Sequence, residues 1–212
     1  GGFPLELPVT APTESYQRLA DYLTQNQLLQ QSDGLQAIWL EPEASLQYAP
    51  LYFTSFWIEC RLGGMHRDEQ GQVVFRPWAF HLDNILLHGL AAVLLWRVLR
   101  RLEIPGAWLG ALLFSVHPVT VESVAWATER KTVMAAVFLL AATLAWLAFT
   151  RPPSAMDERH HGRRWRFYLL AVTLYAAALL TKPATAPLPI VLALLLWWKR
   201  GRLPRVESLA LL

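Results

Sequence analysis

Between residues 117 and 131 the chain reads His117-Pro-Val-Thr-Val-Glu-Ser-Val-Ala-Trp-Ala-Thr-Glu-Arg-Lys131, an unusually polar run between strongly apolar segments. If residues from 121 onward are helical, Glu122, Trp126 and Arg130 fall on one face at i, i+4 and i+8. A carboxylate, an aromatic ring and a guanidinium then point the same way. Lys182 stands in the next polar connector on the same side, directly before Pro183, which cannot continue a helix normally. Ionisable groups at membrane depth are costly to desolvate and tend to mark sites, and Arg with Lys suits a phosphate or pyrophosphate. The same residues also fit a plain structural role, with Glu122 and Arg130 paired at the interface and Lys182 reaching to headgroups. Asn84 and His88, one helical turn apart, fit either a polar pocket or hydrogen bonds between helices.

The elements that must position these groups follow from composition. Of 212 residues, 54% are hydrophobic and only 17% charged, and the mean hydropathy is positive. Such a chain reads as a membrane protein. Its apolar residues come in blocks comparable to a bilayer's thickness, predicting five transmembrane helices at about 80–99, 104–118, 133–149, 167–181 and 187–198. The fold class expected is all-α, with an outward-facing loop at 1–79, a helical bundle at 80–202, and the start of a further span at 203–212.

Orientation comes from the short connectors, since Lys and Arg are retained on the cytoplasmic side. Most of the 19 basic residues fall into three groups: Arg97, Arg100 and Arg101; Arg151, Arg159, Arg163, Arg164 and Arg166; and Lys199, Arg200, Arg202 and Arg205. The connectors at 117–131 and 181–186 hold only Arg130, Lys131 and Lys182, and should face outward together with residues 1–79. The net charge of +3 therefore reports topology, and nothing in the sequence predicts a nucleic-acid partner. His160 and His161 read as solvated residues of a basic loop. Cys60 is the sole cysteine, so no internal disulfide or Cys-based metal cluster is possible.

Within the outward segment, 15–29 and 35–40 have helical composition. Tyr52, Phe53, Phe56 and Trp57 crowd a stretch predicted as an interfacial helix at about 51–62, with Glu59 and Arg61 in water. Residues 65–71 read as a polar turn. The opening Gly1-Gly2, with no apolar leader, leads to the expectation that a preceding span is missing and the chain is a fragment.

The run His117 to Trp126 with Glu129-Arg-Lys131, preceded by Phe80-His-Leu-Asp-Asn-Ile-Leu-Leu-His88 and followed by Thr181-Lys-Pro183 and Leu188-Pro189, resembles the transmembrane and tetratricopeptide-repeat protein family. The membrane part of that family is similar to the GT-C glycosyltransferases, which include protein O-mannosyltransferases. The resemblance implies a multi-pass enzyme of the bacterial inner membrane or the endoplasmic reticulum, its active face away from the cytoplasm. It implies transfer of a sugar, mannose in the family, from a polyprenyl-phosphate donor to Ser or Thr of an exported acceptor protein. A helical repeat region downstream is implied as well. By the same resemblance Arg130, Lys131 and Lys182 hold the donor phosphate. Glu122 and Asp21 are the carboxylates nearest to catalysis, and His117, Trp126, Asn84 and His88 line the pocket. No cofactor is implied, although a divalent cation on carboxylates stays open. One departure counts against catalysis: where the family carries an acidic pair just before the segment matching Asp21, this chain has Arg18 and Leu19. The alternative is an inactive membrane anchor or scaffold for the repeats.

Overall fold

The computed structural model describes residues 27–31, 33–44, 47–67, 73–75, 77–150 and 161–201. Its helices are α1 (Gln27–Gln30), α2 (Gly34–Leu40), α3 (Pro50–Glu59), α4 (Pro77–Arg101), α5 (Ala107–Val116), α6 (Pro118–Ala125), α7 (Arg130–Phe149), α8 (His161–Thr181) and α9 (Leu188–Arg200). The fold is helical but for one small hairpin. Strand β1 (Met65–Arg67) pairs antiparallel with β2 (Val73–Phe75), His66 opposite Val74. This hairpin occupies part of the segment read from sequence as a polar turn.

Among the described residues two helices, Trp78–Arg101 within α4 and all of α7, are long and apolar enough to cross a membrane, and the bent pair α5 and α6 makes a third if counted as one span. At 1.5 Å per residue the 20 residues of α7 rise about 30 Å, the thickness of a hydrocarbon core. The expected count of five is reduced for particular reasons. α9 has only 13 residues, and α8 spends Arg163, Arg164 and Arg166 in its first turns. The third segment is broken, with a 52° bend between α5 and α6. The bend follows from the sequence: a residue before proline is pushed out of the helical region, and His117, before Pro118, is extended at φ −68° and ψ 132°.

The helix ends carry recognisable stops. At the end of α4, Glu103 takes a left-handed conformation at φ 58°. Its N–H bonds the Arg100 carbonyl at 3.0 Å and that of Ile104 the Leu99 carbonyl at 3.0 Å, the paired closure of a Schellman motif. Gly201 closes α9 at φ 66°. A Cβ at Gly34 would overlap the Leu28 carbonyl oxygen, so the turn from α1 to α2 depends on glycine.

Two apolar clusters hold the molecule. One joins α1, α2 and α3 to the starts of α4 and α7 through Leu29, Ile38, Phe53, Phe56, Phe80 and Met134. The other lies between α7, α8 and α9, where Ala142, Ala145 and Ala171 allow close approach around Trp146, Phe149 and Leu192. Leu86, Leu90 and Val93 of α4, Leu112 and Leu113 of α5, and Ile190 and Leu194 of α9 are exposed. Apolar surface on this scale, along helices of spanning length, suits lipid.

α3 does not lie at an interface with its rings free. Tyr52, Phe53 and Phe56 are buried, and the Tyr52 hydroxyl donates to the Thr128 carbonyl at 2.8 Å. Arg61 stays exposed, stacked 3.7 Å over Trp57, while donating to the Leu29 and Gln31 carbonyls at the end of α1. Glu59 is not in water: its side chain is 11% exposed and faces Arg130.

Candidate functional site

The bundle has two polar ends. At one end stand α3, the starts of α4 and α7, and the turn between α8 and α9. There the Lys182 ammonium donates to Thr132 Oγ1 at 2.9 Å. The opposite end gathers the close of α4, α7 and α9, where Lys199 meets Glu103 at 2.7 Å. The residues singled out in sequence lie at or near the first end, except those outside the described residues.

Arg130 is the centre of that end. It is 1% exposed, its Nη2 lies 2.6 Å from Glu59 Oε2, and 3.8 Å separate it from Asp83. Nη2 also donates to the Phe80 carbonyl at 3.2 Å, and Nε donates to Asn84 Oδ1 at 3.3 Å. The guanidinium lies 4.2 Å from the Phe56 ring centroid. The contact with Glu59 is an ion pair between buried side chains. Arg130 Nη1 and both Glu59 oxygens have no hydrogen-bond partner among the described residues. Burial pushes the Glu59 carboxyl up to about 7, despite the opposing pull of Arg130. The same burial raises the Cys60 thiol to about 11.

Asn84 and His88 repair the broken helices. A helix end leaves carbonyls without partners, and two ends meet at this break. Asn84, fully buried, donates from Nδ2 to the Trp126 carbonyl at 3.0 Å and to that of Ser123 at 3.5 Å, at the end of α6. His88 Nε2 lies 3.1 Å from the Ser115 carbonyl at the end of α5. A carbonyl only accepts, so the ring proton sits on Nε2. The helix-to-helix reading of this pair is the one the geometry carries.

Lys131 pairs directly with one carboxylate, and Lys182 is linked to it through a hydroxyl. Glu129 Oε1 is 3.8 Å from the Lys131 ammonium, and its Oε2 accepts from Thr132 Oγ1 at 3.2 Å, the hydroxyl that in turn accepts from Lys182. Both lysines are partly exposed. His117 is exposed, its Nδ1 accepting from the Val119 N–H at 3.2 Å.

The assumed continuous helix through 121–130 does not form. α6 stops at Ala125, Trp126 lies between elements, and Ala127–Glu129 make a 3₁₀ turn before α7. Glu122 therefore lies in α6 and Arg130 in α7, with no shared face. The Glu122 side chain and residues Asp21, Arg18, Leu19 and His160 lie outside what the structure describes. Among the described residues no three His, Cys, Asp or Glu side chains converge as a metal site. Sequence reasoning missed Glu59 and Glu129. Glu129 stood inside the quoted motif, whereas nothing local tied Glu59 to Arg130.

No protein-family model matches the chain, nor does any solved structure. Among curated proteins it is similar to Protein O-mannosyl-transferase Tmtc2 of Drosophila melanogaster, 33% identical over 150 residues, which are 69% of this chain and 14% of that protein. Protein O-mannosyl-transferase TMTC4 of Homo sapiens is 33% identical over 150 residues, 64% of this chain and 19% of that protein. Protein O-mannosyl-transferase TMTC2 of Mus musculus is 32% identical over 124 residues, covering 58% and 13%. The chain thus spans less than a fifth of the length of these relatives. The matches bear out its resemblance to the transmembrane and tetratricopeptide-repeat family.

Proposed function

We propose that this chain is part of a membrane glycosyltransferase that moves a sugar, mannose by the names of its relatives, from a polyprenyl-phosphate carrier to a Ser or Thr hydroxyl of an exported protein. The reading is supported above all by one observation. Lys131, in the first turn of α7, pairs with Glu129, and Lys182, from the turn between α8 and α9, is linked to the same carboxylate through Thr132, within a chain related to O-mannosyl-transferases.

In the reaction the acceptor oxygen forms a bond to the anomeric carbon, the bond from that carbon to the phosphate oxygen breaks, and a carboxylate takes the hydroxyl proton. The leaving group is the polyprenyl phosphate, whose charge needs cations. Lys131 supplies one on release from Glu129, and Lys182 another on release from Thr132. Arg130, also expected from sequence to contact phosphate, would first have to open its pair with Glu59. In this proposal it supports the site from behind, ordering the start of α7. Asp21 and Glu122 remain the proposed carboxylates for the base, with His117 and Trp126 at the pocket. Any divalent cation would fall to these same carboxylates.

The proposal includes five membrane crossings, with α5 and α6 as one and α8 and α9 as two more, and this end facing away from the cytoplasm. A membrane-impermeant maleimide tests it on intact cells. Cys60, buried with a raised pKa, should not react. A cysteine at exposed Ala184 should react before lysis and one at exposed Glu103 only after it. The reverse pattern overturns the orientation.

For activity, full-length protein in detergent is given polyprenyl-phosphate-linked mannose and a Ser/Thr-rich acceptor. Lys131→Ala and Lys182→Ala should each lower transfer tenfold or more while the protein elutes as wild type. Transfer by wild type that neither change affects would remove the lysines from the site. No transfer by wild type would favour an inactive anchor, a second reading that rests on Arg18 and Leu19 at the positions of the family's acidic pair.

A further inference from the structure

The opposite end of the bundle holds a cavity of about 660 Å³ between α4, α7 and α8, within the range of about 300 to 1,000 Å³ usual for ligand sites. Arg97, Arg100 and Arg101 stand at its mouth, all three exposed. Arg100 lies 5.1 Å from the Trp96 ring centroid, and among the described residues no carboxylate pairs with any of the three. The walls are apolar: Leu94 from α4, Ala141, Leu144 and Ala148 from α7, Phe167 and Leu170 from α8. Ala141, Leu144 and Ala148 recur at i, i+3 and i+7, so short side chains at two of three positions leave the groove open along α7.

Charge and depth together define the occupant. From Ala141 to Ala148 is seven residues, about 10 Å along the helix axis, less than half of a hydrocarbon core of about 30 Å. The arginines close the end where the helices leave the apolar zone. A ligand filling this space has an anionic head at the surface and an apolar tail reaching part-way into one leaflet. A soluble anion would leave the walls bare, and an uncharged lipid would leave three guanidinium groups unneutralised. We propose that this groove binds an anionic phospholipid, its phosphate among Arg97, Arg100 and Arg101 and its acyl chain along Ala141 and Ala148. Basic pockets between helices at a membrane surface recognise such headgroups by the same electrostatics. The proposal is independent of the sugar-transfer reading, because it uses the other end of the molecule.

The test uses full-length protein in nanodiscs and native mass spectrometry after gentle release. Phosphatidylglycerol should be retained at least tenfold over phosphatidylcholine. The triple change Arg97→Gln, Arg100→Gln and Arg101→Gln should abolish that preference without altering elution or helical content. A second variant, Ala141→Leu with Ala148→Leu, keeps the arginines but fills the groove, and should also lose retained lipid. Glycerol phosphate in excess should not displace the lipid. Retention unchanged in either variant overturns the proposal, as does displacement by glycerol phosphate, which would reduce the site to a surface anion patch. A cysteine at Ala148 that crosslinks to another protein segment or a second copy also overturns it, since the groove would then be occupied by protein.

Discussion

The two ends of the helical bundle handle charge in opposite ways. The buried Arg130 guanidinium is met by other parts of the chain: Glu59 from α3, Asn84 and the Phe80 carbonyl from α4. At Arg97, Arg100 and Arg101 the cations stay exposed and open onto an apolar groove. Buried charge is tolerated only with partners, so the first end is tied up in structure, and the cations left partly exposed at its edge are Lys131 and Lys182. Exposed charge needs no partner within the protein. The second end is therefore free to take one from the membrane.

This contrast can be broken most forcefully at Arg130. Removing one member of a buried pair strands the other, at a cost of about 3–5 kcal/mol. Glu59→Ala and Arg130→Ala should each lower stability by that order, while the double change to Met should recover a large part of it. Near-additive losses would show that the two do not act as a pair. Asn84→Ala removes the side-chain donor to the Trp126 and Ser123 carbonyls and the acceptor of Arg130 Nε, and should cost about 1–3 kcal/mol. His88→Ala, which serves one carbonyl, should fall at the low end of that range. Both are read by thermal or denaturant unfolding in detergent.

The pH profile sharpens the comparison. A carboxyl raised from 4.5 to about 7 binds its proton more readily when folded. Its contribution to stability is present below about pH 4.5 and is lost as the pH rises towards 7. Melting temperature should accordingly fall across that window in wild type and flatten in Glu59→Gln. An unchanged slope in the variant would assign the dependence elsewhere. At the other end the effect should be smallest: Arg97→Gln, Arg100→Gln or Arg101→Gln should each leave stability within about 0.5 kcal/mol. A larger loss from any of them would mean that the arginine has a structural partner.

How far these features could be read in sequence depended on how local their causes were. α4 and α7 announced themselves by length and unbroken apolar character, and their observed starts at Pro77 and Arg130 lie a turn earlier than expected because their first residues are polar or aromatic. The break at His117 was written in the following proline, yet α6 was read as a connector since eight residues of mixed polarity carry little periodic signal. Asn84 and His88 were recognisable as polar groups in an apolar helix, but the carbonyls they bond, and the Arg130 guanidinium that Asn84 also accepts from, lie far along the chain and are not revealed by composition. Glu59 was misplaced because the aromatics around it suggested an interface. Its real environment is set by Arg130, 71 positions along the chain, and a carboxylate's neighbours in sequence say nothing of such a meeting. That Lys131 and Lys182 stand at one end of the bundle was anticipated from their connectors, and Thr132, which links Lys182 to Glu129, was not.

The bent pair of α5 and α6 has a consequence for the order in which the chain can be built. Ten residues of α5 rise about 15 Å, half of a hydrocarbon core, and end in carbonyls that lipid cannot satisfy. Delivered alone from a translocation channel, this segment would have no reason to stay. The groups that accept it, Asn84 and His88, lie on the helix synthesised just before. α4 thus acts as a template within the chain: its Asn84 and His88 receive the carbonyls at the break, so the bent pair that follows is held by docking against it as well as by its own apolar surface.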